Sequence, residues 1–109
     1  MTSTTVGVLE ALASEPQTDR YGLEIMALTG LPSGTVFPIL ARFEGLGWLE
    51  SGWEDVDTRA VGRPARRYYH LTDGGLEATR VALSRVELQR SRRRSLLLRP
   101  APGPAGDRA

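Results

Sequence analysis

Only four residues, Leu31-Pro32-Ser33-Gly34, separate two apolar patterns of helical period. A connection this short leaves the two helices little choice but to cross one another closely. Before it, Tyr21, Ile25 and Leu28 recur at i, i+4 and i+7, and Gly30 stands where a left-handed C-terminal cap is needed. Thr18 or Asp19 is the expected cap at the start of that helix. After the connection, Val36, Ile39, Leu40, Phe43 and Leu46 or Gly47 form the clearest amphipathic stripe in the chain. Pro38 fits this stripe if it lies in the first turn, where backbone N–H groups lack intrahelical partners. The third helix is therefore predicted to start at Ser33 to Thr35, with Ser33, Gly34 and Thr35 at its exposed N-terminal tip. A first helix is predicted over Thr4 to Ser14, with Val8, Leu9 and Leu12 on one face and Val6 and Ala13 widening it. Glu15-Pro16-Gln17-Thr18 ends it, because proline cannot continue the ladder.

Two helices joined by so short a glycine-containing turn match a helix-turn-helix. After Gly47 the period changes to a loose alternation, with Leu49, Ser51 and Trp53 on one face of a strand. A second strand follows Ala65, with Arg67, Tyr69 and Leu71 on one face and Arg66, Tyr68 and His70 on the other. Asp55 to Ala65 is expected to be a loop, longer than a tight hairpin turn and of the kind that is functional or mobile in compact domains. Thr72 is the expected cap of a last helix running from Asp73 or Gly74 to Leu98, with Leu76, Leu83, Val86 and Leu97 in one stripe. So small a body does not cover so long a helix, and its apolar face is expected to meet another subunit. Arg99 to Ala109, rich in Pro, Gly and Ala, is expected to be a disordered tail. The reading is one domain over 1–98, mainly α with a two-stranded hairpin, in which 72–98 is the dimerisation helix.

Composition narrows the chemistry. The 109 residues include no cysteine, which removes disulfides and thiolate metal sites, and His70 is the only histidine. No acid, base and nucleophile set is recognisable, so an enzyme is not expected, nor a cofactor or metal. Apolar runs such as Leu96-Leu97-Leu98 are far short of a membrane span, and the N-terminus lacks the charged and apolar regions of a signal peptide. A cytoplasmic protein without a membrane partner is the expectation. Net charge is +1, but residues 1–57 carry −7 and residues 58–109 carry +8. All fourteen basic residues are arginine. A GC-rich genome accounts for most of that choice, whereas the clustering implies a polarised surface.

Each candidate site has a bland reading beside it. Ser33-Gly34-Thr35 can be a simple cap, or it can offer hydroxyl and backbone donors to phosphates and base edges. A preceding helix at the right distance favours the groove reading. Arg63, Arg66 and Arg67 form either a solvated loop or a positive fingertip for phosphates and a narrow minor groove. Arg67 shares a face with Leu71 and can instead pair with Glu50 or Glu54. Arg42 can reach a phosphate or simply keep the outer face of its helix soluble. Trp48, Trp53, Tyr68 and Tyr69 can stack on bases, but packing against the helices is the better reading. His70 faces outward in this register and carries no assigned role. Arg90 with Arg92-Arg93-Arg94 reads as a solvated helix end.

These residues resemble the PadR-like transcriptional regulators. The likeness is carried by Tyr21-Gly22-x-Glu24-Ile25, Ser33-Gly34-Thr35-x-x-Pro38-x-Leu40-x-Arg42-x-Glu44, Gly47-Trp48, and Gly62-Arg63-Pro64-x-Arg66-x-Tyr68-Tyr69-x-Leu71-Thr72-x-x-Gly75. The resemblance implies a winged helix-turn-helix that binds double-stranded DNA, forms a homodimer through its first and last helices and usually represses transcription. Matched by position, Tyr21, Ser33, Gly34, Thr35, Phe37 and Pro38 lie in DNA-contacting segments, and Arg63, Pro64, Arg66 and Arg67 in the wing. Val8, Leu9, Leu12, Leu76, Leu83 and Val86 are then the dimerisation residues. Phe37 departs from the family's usual tyrosine, whose hydroxyl can reach a phosphate. Asp73-Gly74 replaces the usual Pro-Glu at the start of the last helix. A small apolar effector at the dimer interface is compatible with the family. The alternative is a winged-helix protein-interaction module without specific DNA binding.

Overall fold

The computed structural model describes residues 1–98. In chain order these form α1 (Ser3–Ser14), β1 (Arg20–Tyr21), α2 (Gly22–Thr29), α3 (Ser33–Gly45), β2 (Leu49–Trp53), α4 (Thr58–Val61), β3 (Arg67–Leu71) and α5 (Asp73–Leu98). The architecture is mainly α, with helices packed on a small antiparallel sheet of order β1-β3-β2. The wing hairpin pairs Leu49 with Leu71, Ser51 with Tyr69 and Trp53 with Arg67. The third strand is an addition to the predicted pair: Arg20 and Tyr21 pair with Tyr69 and Tyr68.

Local chemistry sets most boundaries. The Thr2 hydroxyl accepts the Thr5 N–H at 3.3 Å and starts α1. Neither Thr18 nor Asp19 caps α2. Tyr21 stands at that position, and its N–H donates to the Glu24 carboxylate at 3.0 Å. The predicted cap of α2 is corrected because residues 20–21 are drawn into the sheet first. Gly30 closes α2 at φ 72°, a left-handed conformation, with its N–H on the Met26 carbonyl at 2.8 Å. α3 begins at Ser33 as predicted, with the Pro32 carbonyl accepting the Thr35 and Val36 N–H groups. Pro38 is not in the first turn but inside the helix, past the tip. It withholds the N–H that the Gly34 carbonyl would otherwise receive, and Gly34 lies exposed where that carbonyl can be solvated. α2 and α3 meet at a bend of 118°, within the range of a helix-turn-helix.

The core is built from Leu9, Leu12, Ile25, Val36, Leu40, Phe43, Leu49, Tyr69 and Leu71, with Trp48, Leu76 and Leu83 packed against it. Val8, Leu9 and Leu12, expected at a subunit interface, are 0, 0 and 2 % exposed within the single chain. They close the subunit's own core, because α1 packs on α2, α3 and α5. Leu28, expected beside the fully buried Ile25, is exposed. The Asp55–Ala65 segment is not a structureless loop. Asp57 caps the short α4 by accepting the Arg59 N–H at 3.0 Å, and Gly62 ends it at φ 71°. Thr72 caps α5 as predicted, accepting the Gly75 N–H at 2.9 Å. Its hydroxyl also donates to the Gly47 carbonyl at 2.8 Å, tying the start of α5 to the end of α3. The tail predicted over 99–109 lies outside the described residues. Among the described residues, no single helix is long and apolar enough to cross a membrane.

Candidate nucleic-acid interface

The N-terminal end of α3 carries the first group of candidate residues. Ser33, Gly34 and Pro38 are exposed and Thr35 is half-buried. The Phe37 ring, 39 % exposed, lies against the start of α2. A Cβ on Gly22 would stand 2.5 Å from that ring, so glycine is what lets α2 and α3 approach so closely here. Phe37 thus serves as a packing group between the two helices while leaving one edge open.

The wing carries the second group, and its three arginines differ sharply. The Arg63 guanidinium forms a two-pronged contact with the Glu54 carboxylate, Nη1 to Oε1 at 2.6 Å and Nη2 to Oε2 at 3.2 Å. Tyr21 donates its hydroxyl to the same carboxylate at 3.2 Å. The Arg63 bonds, joined by the Arg66 N–H and the Tyr21 hydroxyl, hold the Glu54 carboxyl at a pKa of about 2. Glu54 in turn raises the pKa of Arg63, and burial beside Glu54 raises that of the Tyr21 phenol. Arg67 is also engaged: it bonds Ser51 at 2.6 Å and Glu44 at 3.2 Å, with its guanidinium 5.3 Å from the Trp53 ring centre. The predicted partner on a neighbouring strand is replaced by Glu44 of α3, which Ser51 also binds. Arg66 is exposed and has no acidic partner among the described residues. Pro64 is exposed beside it.

Arg59 was missed in the sequence. It projects from α4 in the wing, exposed and likewise without an acidic partner among the described residues. The available signal was Asp57 followed five residues later by Gly62, a cap and a stop around one helical turn. Trp53 is 63 % exposed, against the expectation that the hairpin aromatics all pack inward. Trp48 and Tyr69 do pack inward, Trp48 with its ring centre 4.9 Å from that of Phe43. Arg42 reaches back to the Thr5 hydroxyl at 3.2 Å. His70 lies between two acids, with Nδ1 3.4 Å from Asp19 but without a hydrogen bond and Nε2 3.3 Å from Glu50. This trio lines a cavity of about 420 Å³ beside the start of α5.

Within the helix-turn-helix and wing, ion pairs take up part of the charge polarity seen in the sequence. Glu24, Glu44 and Glu54 face Arg20, Arg67 and Arg63, leaving Arg59 and Arg66 as unpaired positive charge on the wing. A contact chain runs from the wing through Glu54 and Tyr21 to Gly22 and the Phe37 ring, joining wing and α3 tip.

The transcriptional regulator PadR-like family model matches residues 8–81. The chain belongs to the PadR-like family. It is thus a DNA-binding transcriptional regulator with the family's winged-helix fold. PadR-like members are transcription factors rather than enzymes. Solved structures agree on the fold. The smu.1704 protein of Streptococcus mutans superposes with a TM-score of 0.74 at 21 % identity, covering 94 % of this chain and 95 % of that one. A PadR family transcription regulator from Clostridium difficile gives 0.71 at 21 % identity, over 88 and 99 %. A PadR family regulator from Eggerthella lenta gives 0.68 at 26 % identity, over 85 and 82 %. The PcaV transcriptional regulator from Streptomyces coelicolor, solved with its natural ligand, gives 0.64 at 25 % identity, over 99 and 67 %. No curated protein sequence matches the chain. Within this PadR-like regulator, α3 is the second helix of the helix-turn-helix and the β2–β3 hairpin with α4 is the wing.

Proposed function

We propose that this PadR-like chain is a homodimeric repressor that seats the N-terminal end of α3 in the major groove of an inverted-repeat operator. Ser33, Gly34, Thr35, Phe37 and Pro38 face the base edges, and the wing lies on flanking backbone or in the minor groove. The observation that carries this reading is the contact chain from wing to α3 tip, with two unpaired arginines at one end and exposed polar groups at the other. Half-sites about one helical turn apart suit a two-fold dimer. Dimerisation falls to α5, where Val86 and the exposed Leu88, Leu96, Leu97 and Leu98 lie beyond the subunit core. An apolar effector between subunits belongs to the same proposal; the similar PcaV regulator was solved with its natural ligand.

The test is fluorescence anisotropy on promoter DNA beside the chain's own gene, over a salt series. Binding should prefer that DNA over random duplex and weaken steeply with salt. A salt-independent signal, or equal affinity for random DNA, sinks the proposal. Promoter-reporter expression should rise when the gene is deleted. The internal engagement of Arg63 and Arg67 favours the second reading, a protein-interaction module. That reading wins if Thr35→Ala and Arg66→Ala leave regulation untouched while α5 substitutions abolish it.

A further inference from the structure

Tyr21 and Arg63 sit in segments expected to touch DNA, yet both direct their donors to one carboxylate. Glu54 follows the last residue of β2 and its side chain is 11 % exposed. It receives both prongs of Arg63, the Tyr21 hydroxyl and, at 3.4 Å, the Arg66 N–H. Its own N–H donates to the Arg66 carbonyl at 2.8 Å. Main chain and side chain of Glu54 therefore both hold Arg66. Through Tyr21 the same carboxylate reaches the residue before Gly22, against which Phe37 of α3 packs.

We propose that Glu54 is a positioning residue for DNA recognition, clamping the wing to the start of α2 so that Arg66, and not Arg63, is the wing cation that meets phosphate. This rests on the DNA-binding reading above. A phosphate that took Arg63 would have to break a two-pronged pair and strand a nearly buried carboxylate, which is strongly unfavourable. Arg66 has no such tie, and its backbone is fixed on both sides of the peptide unit. The Glu54–Arg63 pair is neutral as a unit, so it shapes the wing without adding to its field. Arg63 becomes a structural arginine, and the free charge of the wing lies with Arg66 and Arg59.

The decisive measurement is a double-mutant cycle read by DNA binding across salt. Glu54→Gln keeps the size of the side chain but loses the charge that grips Arg63. It is expected to weaken operator binding about ten-fold, the loss of the held Arg66 contact outweighing the Arg63 charge that it frees. In an Arg66→Ala background it should have almost no further effect, because both changes remove the same contact. A purely stabilising role would instead add to the Arg66→Ala loss. Amide hydrogen exchange over residues 55–66 in the free protein should accelerate in Glu54→Gln. Tyr21→Phe, which deletes one hydroxyl, should act in the same direction and more weakly, so a misfolded Glu54→Gln does not end the test. Operator binding by Glu54→Gln equal to or tighter than wild type, or additive losses, would overturn the proposal alone. Wild-type protein with no operator preference would overturn the DNA reading and this proposal with it.

Discussion

At the scale of single residues, three arginines within five positions meet three different fates, decided by which carboxylate lies in reach. Arg66 has none, so Arg66→Ala should weaken binding to all DNA sequences alike and reduce the salt slope by about one, measured by anisotropy. Arg67 is tied to Glu44 and Ser51, with both charged side chains partly solvated. Its replacement by alanine should cost about 1 kcal/mol of stability or less in denaturant melts and leave the salt slope unchanged. Equal slopes for the two variants would remove the distinction drawn between them. The Glu54 carboxyl adds a pH signature. Its pKa is about 2 in the folded chain against 4.5 ordinarily, so its contribution is fully present above the ordinary value and is lost as pH falls toward 2. The stability gap between wild type and Glu54→Gln should therefore stay constant from neutral pH to about pH 5, then narrow on acidification. The positions of Arg63, Arg66 and Arg67 in a basic hairpin were legible in the sequence. Their sorting was not, because it depends on where Glu54 and Glu44 fall in three dimensions, and Glu44 comes from a helix 23 residues away in sequence.

Among the elements, the longer ones announce themselves in the sequence and the shortest do not. The α3 stripe, the β3 alternation and the Thr72 cap each place themselves by repeating apolar residues or a local hydroxyl. β1 has two residues and no period to show, and its formation moves the start of α2 past Thr18 and Asp19. α4, a single turn, left only its cap and its terminal glycine as signals. Close helix approaches were also invisible, since they depend on the absence of a side chain. Gly75 illustrates this: a Cβ there would overlap the Trp48 carbonyl, a backbone group that cannot swing aside. Gly75→Ala should thus lift α5 from the end of α3 and cost about 3 kcal/mol, visible as a lowered denaturation midpoint. Gly22→Ala meets a ring rather than backbone, so the Phe37 side chain can move. It should cost less stability and more DNA affinity, because the displaced ring lies on α3. A normal midpoint for Gly75→Ala would show that α5 is free to shift.

For the whole molecule, the question is what completes α5. The subunit uses α1 for its own core, so Val8, Leu9 and Leu12 cannot form an interface unless the fold opens. α5 runs on to Leu98, and its described part beyond Val86 is exposed. Val86 and Leu97 are eleven residues apart, three helical turns, and so share one stripe. A two-fold dimer that buries this stripe would carry two copies of α3 at a fixed separation, which is what an inverted repeat selects. Val86→Glu combined with Leu97→Glu should therefore give monomers in sedimentation velocity. The circular dichroism of the subunit should be retained, because neither residue supports the core. Operator affinity should fall by about 10²-fold or more, since the second half-site is then no longer bound as part of one linked unit. Binding to a single half-site should be nearly unchanged. A double variant that stays dimeric, or a monomer that binds the full operator as tightly as wild type, would separate recognition from α5 and leave the wing and α3 tip to act alone.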